Sequence, residues 1–189
     1  MLTHMPSGID KRRFTVDEYY AMARAGILSE RDRVELIEGE VVTMTPIGLV
    51  HAAAVARATH GLMRSTGERA IVWVQNPIRL DAFSEPQPDL VLLRPREDFY
   101  RSAHPGPADV LLVIEMADSS LRYDRDVKAS LYARHAIVEY WLVDLAASTV
   151  TRYSSPEGGA YLSVAVHTRG ETLAPIALPD CTVIVEDLL

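Results

Sequence analysis

The spacing of apolar residues divides the chain into alternating helical and extended segments. Thr15, with Glu18 three residues on, is a capping-box pair. Gly26 suits a helix C-terminus, so the spacing predicts a helix over 16–25. Arg33-Val34-Glu35-Leu36-Ile37 and Glu40-Val41-Val42-Thr43-Met44 flank Glu38-Gly39, and an acid-glycine pair between two alternating runs signals a β-hairpin. Residues 50–65 are rich in Ala, Leu and Val, lack Pro and stop before Gly67, which reads as a second helix. Strands are expected at 71–75, 78–81 and 90–93. The stretch from Arg94 to Asp109 carries Pro95, Pro105, Gly106 and Pro107 and reads as a connection. From Val110 the chain is apolar until Glu115, the pattern of a central strand covered on both faces. A polar loop at 118–122, a helix at 124–134 and a buried strand at 138–143 follow. Beyond Asp144 short strands at 150–153 and 161–166 flank the turn-rich segment 154–159.

Helices alternating with strands place the chain in the α/β class, with a β-rich C-terminal addition. The 189 residues, 48% of them hydrophobic, suffice for one sizeable core. No repeat or linker divides them, so residues 14–189 are expected to form a single domain behind a flexible tail at 1–13. The tail has no apolar stretch of the secretory type, and no apolar run nears the roughly 18–20 residues that cross a bilayer. A cytoplasmic protein without a membrane partner is expected. Cys181, the only cysteine, rules out an intrachain disulfide and a cysteine-based zinc site. The net charge of −7 counts against passive nucleic-acid binding, which depends on Lys and Arg neutralising phosphates. It leaves room for a metal-dependent nuclease, whose clustered carboxylates an ion partly neutralises.

Two acids stand out by position. Asp89 begins one apolar strand and Glu115 ends another. If the strands pair antiparallel, start meets end and the carboxylates become neighbours; if parallel, they lie about 15 Å apart. A connection of this length permits either arrangement. Two adjacent carboxylates suit a hard cation with oxygen ligands, Mg2+ or Mn2+. Such an ion can polarise a phosphoryl oxygen and activate a water. Taken singly, each acid is more simply a strand-end charge facing water. Lys128 lies thirteen residues past Glu115 on the expected helix. It is placed either to reach a scissile phosphate or to pair with Asp124 at the surface.

The residues Pro88-Asp89, Val113-Ile114-Glu115, Tyr123-Asp124-Arg125 with Lys128 and Tyr132, and Glu139-Tyr140-Trp141-Leu142-Val143-Asp144 together resemble the Uma-two family of restriction-type endonucleases. That family belongs to the PD-(D/E)XK nuclease superfamily. The stretch Glu35-Leu36-Ile37-Glu38-Gly39-Glu40, and His51 after it, resembles the family's N-terminal part, and the likeness covers roughly residues 14–185. It implies a restriction-endonuclease-like mixed sheet flanked by helices, with the two acid-bearing strands antiparallel. It further implies Asp89 and Glu115 as metal ligands and a phosphodiester substrate. The superfamily places its lysine two residues after the glutamate, where this chain has Ala117; in Uma-two-like sequences the following helix supplies it, which points to Lys128. Glu35, by the same resemblance, joins the site through a metal-bound water.

The remaining candidates are weaker. His51 and His60, nine residues apart, share no helix face and read as structural or surface residues, although His51 lies within the likeness and can approach a substrate. Tyr123 and Tyr132 read as packing residues that border the site. Tyr140 and Trp141 face opposite sides of their strand, which assigns one of them to a dimer surface. Neither a nucleophile elbow nor a phosphate-binding glycine loop is present. The expected reaction is Mg2+-dependent hydrolysis of phosphodiester bonds in DNA, with Asp89, Glu115, Lys128 and Glu35 as catalytic residues and a homodimer where both strands are cut. The competing readings are a catalytically silent binding or assembly module on the same fold, and a metal-dependent hydrolase of a smaller substrate.

Overall fold

The structure is a computed structural model and describes residues 11–29 and 31–189. Of the expected tail, residues 1–10 lie outside the described part. Helix α1 spans Val16–Arg24, and its N-terminus carries the capping box: the Thr15 side chain accepts from the Glu18 N–H, and Glu18 accepts from the Thr15 N–H. Strands β1 (Val34–Ile37) and β2 (Glu40–Thr43) form the hairpin. Glu38 and Gly39, at φ +50° and +78°, make its turn. A Cβ at position 39 would lie 2.5 Å from that of Arg13, so the turn needs glycine for space as well as for backbone freedom.

Helix α2 (Leu49–Thr66) precedes the six-stranded sheet, which runs in the order β3 (Ile71–Val74), β4 (Leu90–Leu93), β5 (Val110–Ala117), β6 (Glu139–Asp144), β7 (Thr149–Glu157), β8 (Ala160–Thr168). Only β5 and β6 pair in parallel; the other four pairings are antiparallel. Their parallel connection carries α3 (Leu121–Tyr123), a π-helical turn (Asp124–Lys128) and α4 (Ala129–Arg134). The short strands β9 (Thr172–Leu173) and β10 (Val183–Ile184) pair separately.

The central strands bury side chains on both faces, alternating as the two-residue period requires. Leu90, Leu92, Leu112, Ile114, Met116, Trp141 and Val143 face α2 and the C-terminal segment. Val91, Leu93, Val113, Ala117, Tyr140 and Leu142 face α4. Glu115 falls between Val113 and Ala117 and so is carried on the α4 side.

Four expectations fail. Residues 78–81 form no strand. They run beside Glu85-Pro86-Gln87-Pro88, where two prolines lack the N–H a ladder needs, and Leu80 instead donates to Ser84 within a local turn. The turn expected across 154–159 shrinks to Gly158 and Gly159, both at positive φ, and β7 and β8 continue up to it. The helix begins at Leu121, inside the expected polar loop, and contains the π turn. Tyr140 and Trp141 are both fully buried within the protomer, so neither contributes to a dimer surface.

Candidate active site

β4 and β5 run antiparallel with Leu90 opposite Ile114, so one further step of the ladder sets Asp89 against Glu115. The Asp89 N–H donates to Glu115 Oε2 at 3.3 Å. The start-meets-end arrangement, one of two open from sequence, is the one adopted.

The helix supplies the amine. Ala129 N–H bonds to Asp124 C=O, which closes the π turn, and Lys128 at its end and Tyr132 in α4 stand four residues apart on the face toward β5. Lys128 Nζ lies 3.0 Å from Glu115 Oε1 and 3.3 Å from Glu35 Oε2. The Tyr132 hydroxyl donates to the same Glu115 oxygen at 2.7 Å. Glu35, carried by β1, also accepts the Gln87 N–H at 3.1 Å. Glu115, Glu35 and Lys128 are each about 5% exposed or less. All four residues singled out from sequence therefore meet, and Lys128 is a buried member of the cluster rather than a surface partner of Asp124.

Asp89 is held at both oxygens. Oδ2 accepts from the Met116 N–H at 2.9 Å and lies 3.0 Å from His51 Nε2; Oδ1 accepts from Gln75 at 3.2 Å. Burial pushes its carboxyl up, but His51, the Met116 N–H and Gln75 outweigh that and hold it below the ordinary range. His51 is raised in turn, chiefly by the bond to Asp89. Sequence reasoning set His51 among structural or surface residues and Tyr132 among packing residues; both contact an acid of the cluster. Helical spacing cannot find such contacts, because each depends on which strand end the helix crosses.

Glu115 behaves differently. Burial pushes it up to about 8; Lys128 opposes this, while Asp124, Asp89 and Glu35 add to it. Lys128 is shifted the other way: burial disfavours its charge, yet Glu115, Glu35 and Asp124 outweigh burial and keep it protonated. Asp124 is buried beside them, raised by burial and hydrogen-bonded by Ser120 at 2.5 Å.

These groups line a cleft of about 350 Å³ between the hairpin, the N-terminus of α2 and the π turn. Its walls carry five acids (Glu35, Asp89, Glu115, Asp118, Asp124) against two permanent cations (Arg33, Lys128). A phosphate entering alone would meet net negative charge. The donor set thus fits a hard cation: it consists of carboxylate oxygens, and burial together with the neighbouring acids disfavours the charged form of Glu115, a cost that a bound cation would offset. Among the described residues no three His, Cys, Asp or Glu side chains converge as a closed metal cage. A closed cage is not required, because Mg2+ keeps several waters and commonly takes only one or two carboxylates, as Asp89 and Glu115 would supply.

Comparison with solved structures finds the fold elsewhere. A structure titled as that of "a putative nuclease belonging to DUF820 from Anabaena variabilis" matches at a TM-score of 0.72, with 18% identity over 93% of this chain and 97% of that one. No curated protein matches the chain. Among the described residues no helix is long and apolar enough to cross a membrane. Residues 16–186 match the family profile described as "Putative restriction endonuclease", and the chain belongs to this family, Uma2.

Proposed function

We propose that the protein hydrolyses phosphodiester bonds in DNA with a divalent cation, Mg2+ or Mn2+, held by Asp89 and Glu115. The observation that carries this reading is the single point where β4, β5 and the helix meet: Glu115 bonded at one oxygen by Asp89 N–H and at the other by Lys128 and Tyr132. A cation bound there supplies a Lewis acid for a phosphoryl oxygen and lowers the pKa of a coordinated water.

The chain's own residues set the rest. Lys128 remains cationic, so it serves as donor and counter-charge rather than as base. Its ammonium donates one hydrogen bond to Glu115 and lies 3.3 Å from Glu35 as an ion pair, which leaves donor capacity for the scissile phosphate or the attacking water. Glu35 adds negative charge beside the ligands and holds the amine in place. His51 and the Met116 N–H keep Asp89 ionised and fixed before substrate arrives.

A second reading is a silent nuclease-fold binding module. Ala117 where the superfamily has its lysine, and a Lys128 amine already paired with two carboxylates, favour it. A panel of single- and double-stranded DNA and RNA with Mn2+, comparing wild type with Glu115→Gln, separates the two. Cleavage lost in the variant supports the nuclease. Mn2+ binding without cleavage of any substrate supports the silent module.

A further inference from the structure

β8 closes one edge of the sheet and pairs, among the described residues, only with β7. It is nine residues long, in contrast to the four-residue β3 at the opposite edge. Its even-numbered positions Leu162, Val164 and Val166 are 66%, 55% and 60% exposed, an apolar stripe beside an open row of backbone donors and acceptors. Natural sheets commonly blunt such an edge with lysine, proline or inward-pointing charge. Residues 160–168 contain no proline and no Asp, Glu, Lys or Arg.

The geometry points to β8 as the seam of a homodimer, in which two copies pair their β8 strands antiparallel and continue one sheet across both protomers. Two features select a second copy as the occupant. An antiparallel pairing of identical strands obeys a two-fold axis, so one patch matches itself. Centred on Val164, it sets Leu162 against Val166 of the other copy and Val164 against its equivalent, so the exposed apolar stripe meets itself, while Ser163 faces Ala165 and Tyr161 faces His167 on the other side of the sheet. Charge points the same way. A chain of net charge −7 repels its copies over most approaches, but this strand brings no like charges together. The inference stands apart from the proposed chemistry, since β8 contributes nothing to the cleft.

Sedimentation equilibrium on the full chain tests it. Wild type is expected at twice the 20.9 kDa chain mass, and Val164→Lys at the single mass with an unchanged circular dichroism spectrum. A monomeric wild type, or a Val164→Lys protein that stays dimeric, overturns the proposal. Should the lysine variant misfold, Val164→Cys decides. Equivalent residues at the axis lie within disulfide reach, so oxidation is expected to cross-link two copies, and Cys181, which is buried, does not compete. Absence of the cross-link contradicts the seam.

Discussion

Tyr132 donates its hydroxyl hydrogen to Glu115 Oε1 at 2.7 Å, from a ring with no solvent exposure. The bond reaches from the helix to the sheet and shares its acceptor with Lys128. It fixes the carboxylate's orientation from the side opposite Asp89. A typical hydrogen bond contributes about 0.5–1.5 kcal/mol, and leaving a buried polar atom short of its partner costs about 1–3 kcal/mol. Tyr132→Phe is expected to lower stability by roughly 2 kcal/mol in a denaturant titration. It should also reduce Mn2+ affinity, because Glu115 is no longer held. Unchanged affinity would mean that Lys128 alone orients the carboxylate.

His51 is expected to act through Asp89. Outer-shell partners of metal ligands typically contribute 10–100-fold in affinity or activity. His51→Ala should therefore weaken Mn2+ binding by about tenfold or more while the circular dichroism spectrum stays as in wild type. Calorimetric titration of both proteins with Mn2+ makes the comparison. Equal affinities would reduce the His51–Asp89 bond to a packing detail.

Lys128→Met removes the counter-charge but keeps most of the volume. Glu115 and Glu35 are then left buried without their shared cation, and breaking a buried ion pair in this way costs about 3–5 kcal/mol. Thermal melts should show a loss that shrinks when Mn2+ is added, because a bound cation restores positive charge. Cleavage should be abolished even at saturating Mn2+. Retained cleavage would remove Lys128 from the chemistry.

The raised Glu115 carboxyl fixes the direction of the pH dependence. A cation competes with the proton on that group, so Mn2+ affinity should rise with pH up to about 8 and level off above it. Stability without metal should run the opposite way. Glu115 has its ordinary pKa when unfolded and a raised one when folded, so the folded state binds the extra proton. Its contribution therefore falls as pH rises from the ordinary carboxylate range toward about 8. Melting temperatures with and without Mn2+ across this range check both slopes. Parallel slopes would contradict the assignment of Glu115 as a ligand.

Much of this arrangement was legible because it rests on short-range patterns. The capping box at Thr15 and Glu18, the Glu38-Gly39 turn and the apolar run into Glu115 each act within a few residues, and each appears as expected. The strand pairing that joins Asp89 to Glu115 was not decided by local pattern. The family resemblance indicated it, and the ladder shows it. What sequence missed depends on contacts between remote segments. The π turn at Asp124–Lys128 has no signature in side-chain spacing, yet it lies in the same helical run as Lys128 and Tyr132. His51 meets Asp89 only because the first turn of α2 lies beside the residue that precedes β4. The apolar Ile78 and Leu80 suggested a strand, but the neighbouring prolines at 86 and 88 deprive it of a ladder, and both side chains are buried from a loop.

The account depends most on one cation shared by Asp89 and Glu115, and Mn2+ titration followed by calorimetry or electron paramagnetic resonance measures it directly. Wild type is expected to bind Mn2+ with broad signals from an ion in an asymmetric oxygen site. Asp89→Asn and Glu115→Gln are each expected to lose that binding while keeping the fold. Binding that survives both substitutions, or is absent from folded wild type, would contradict the shared site.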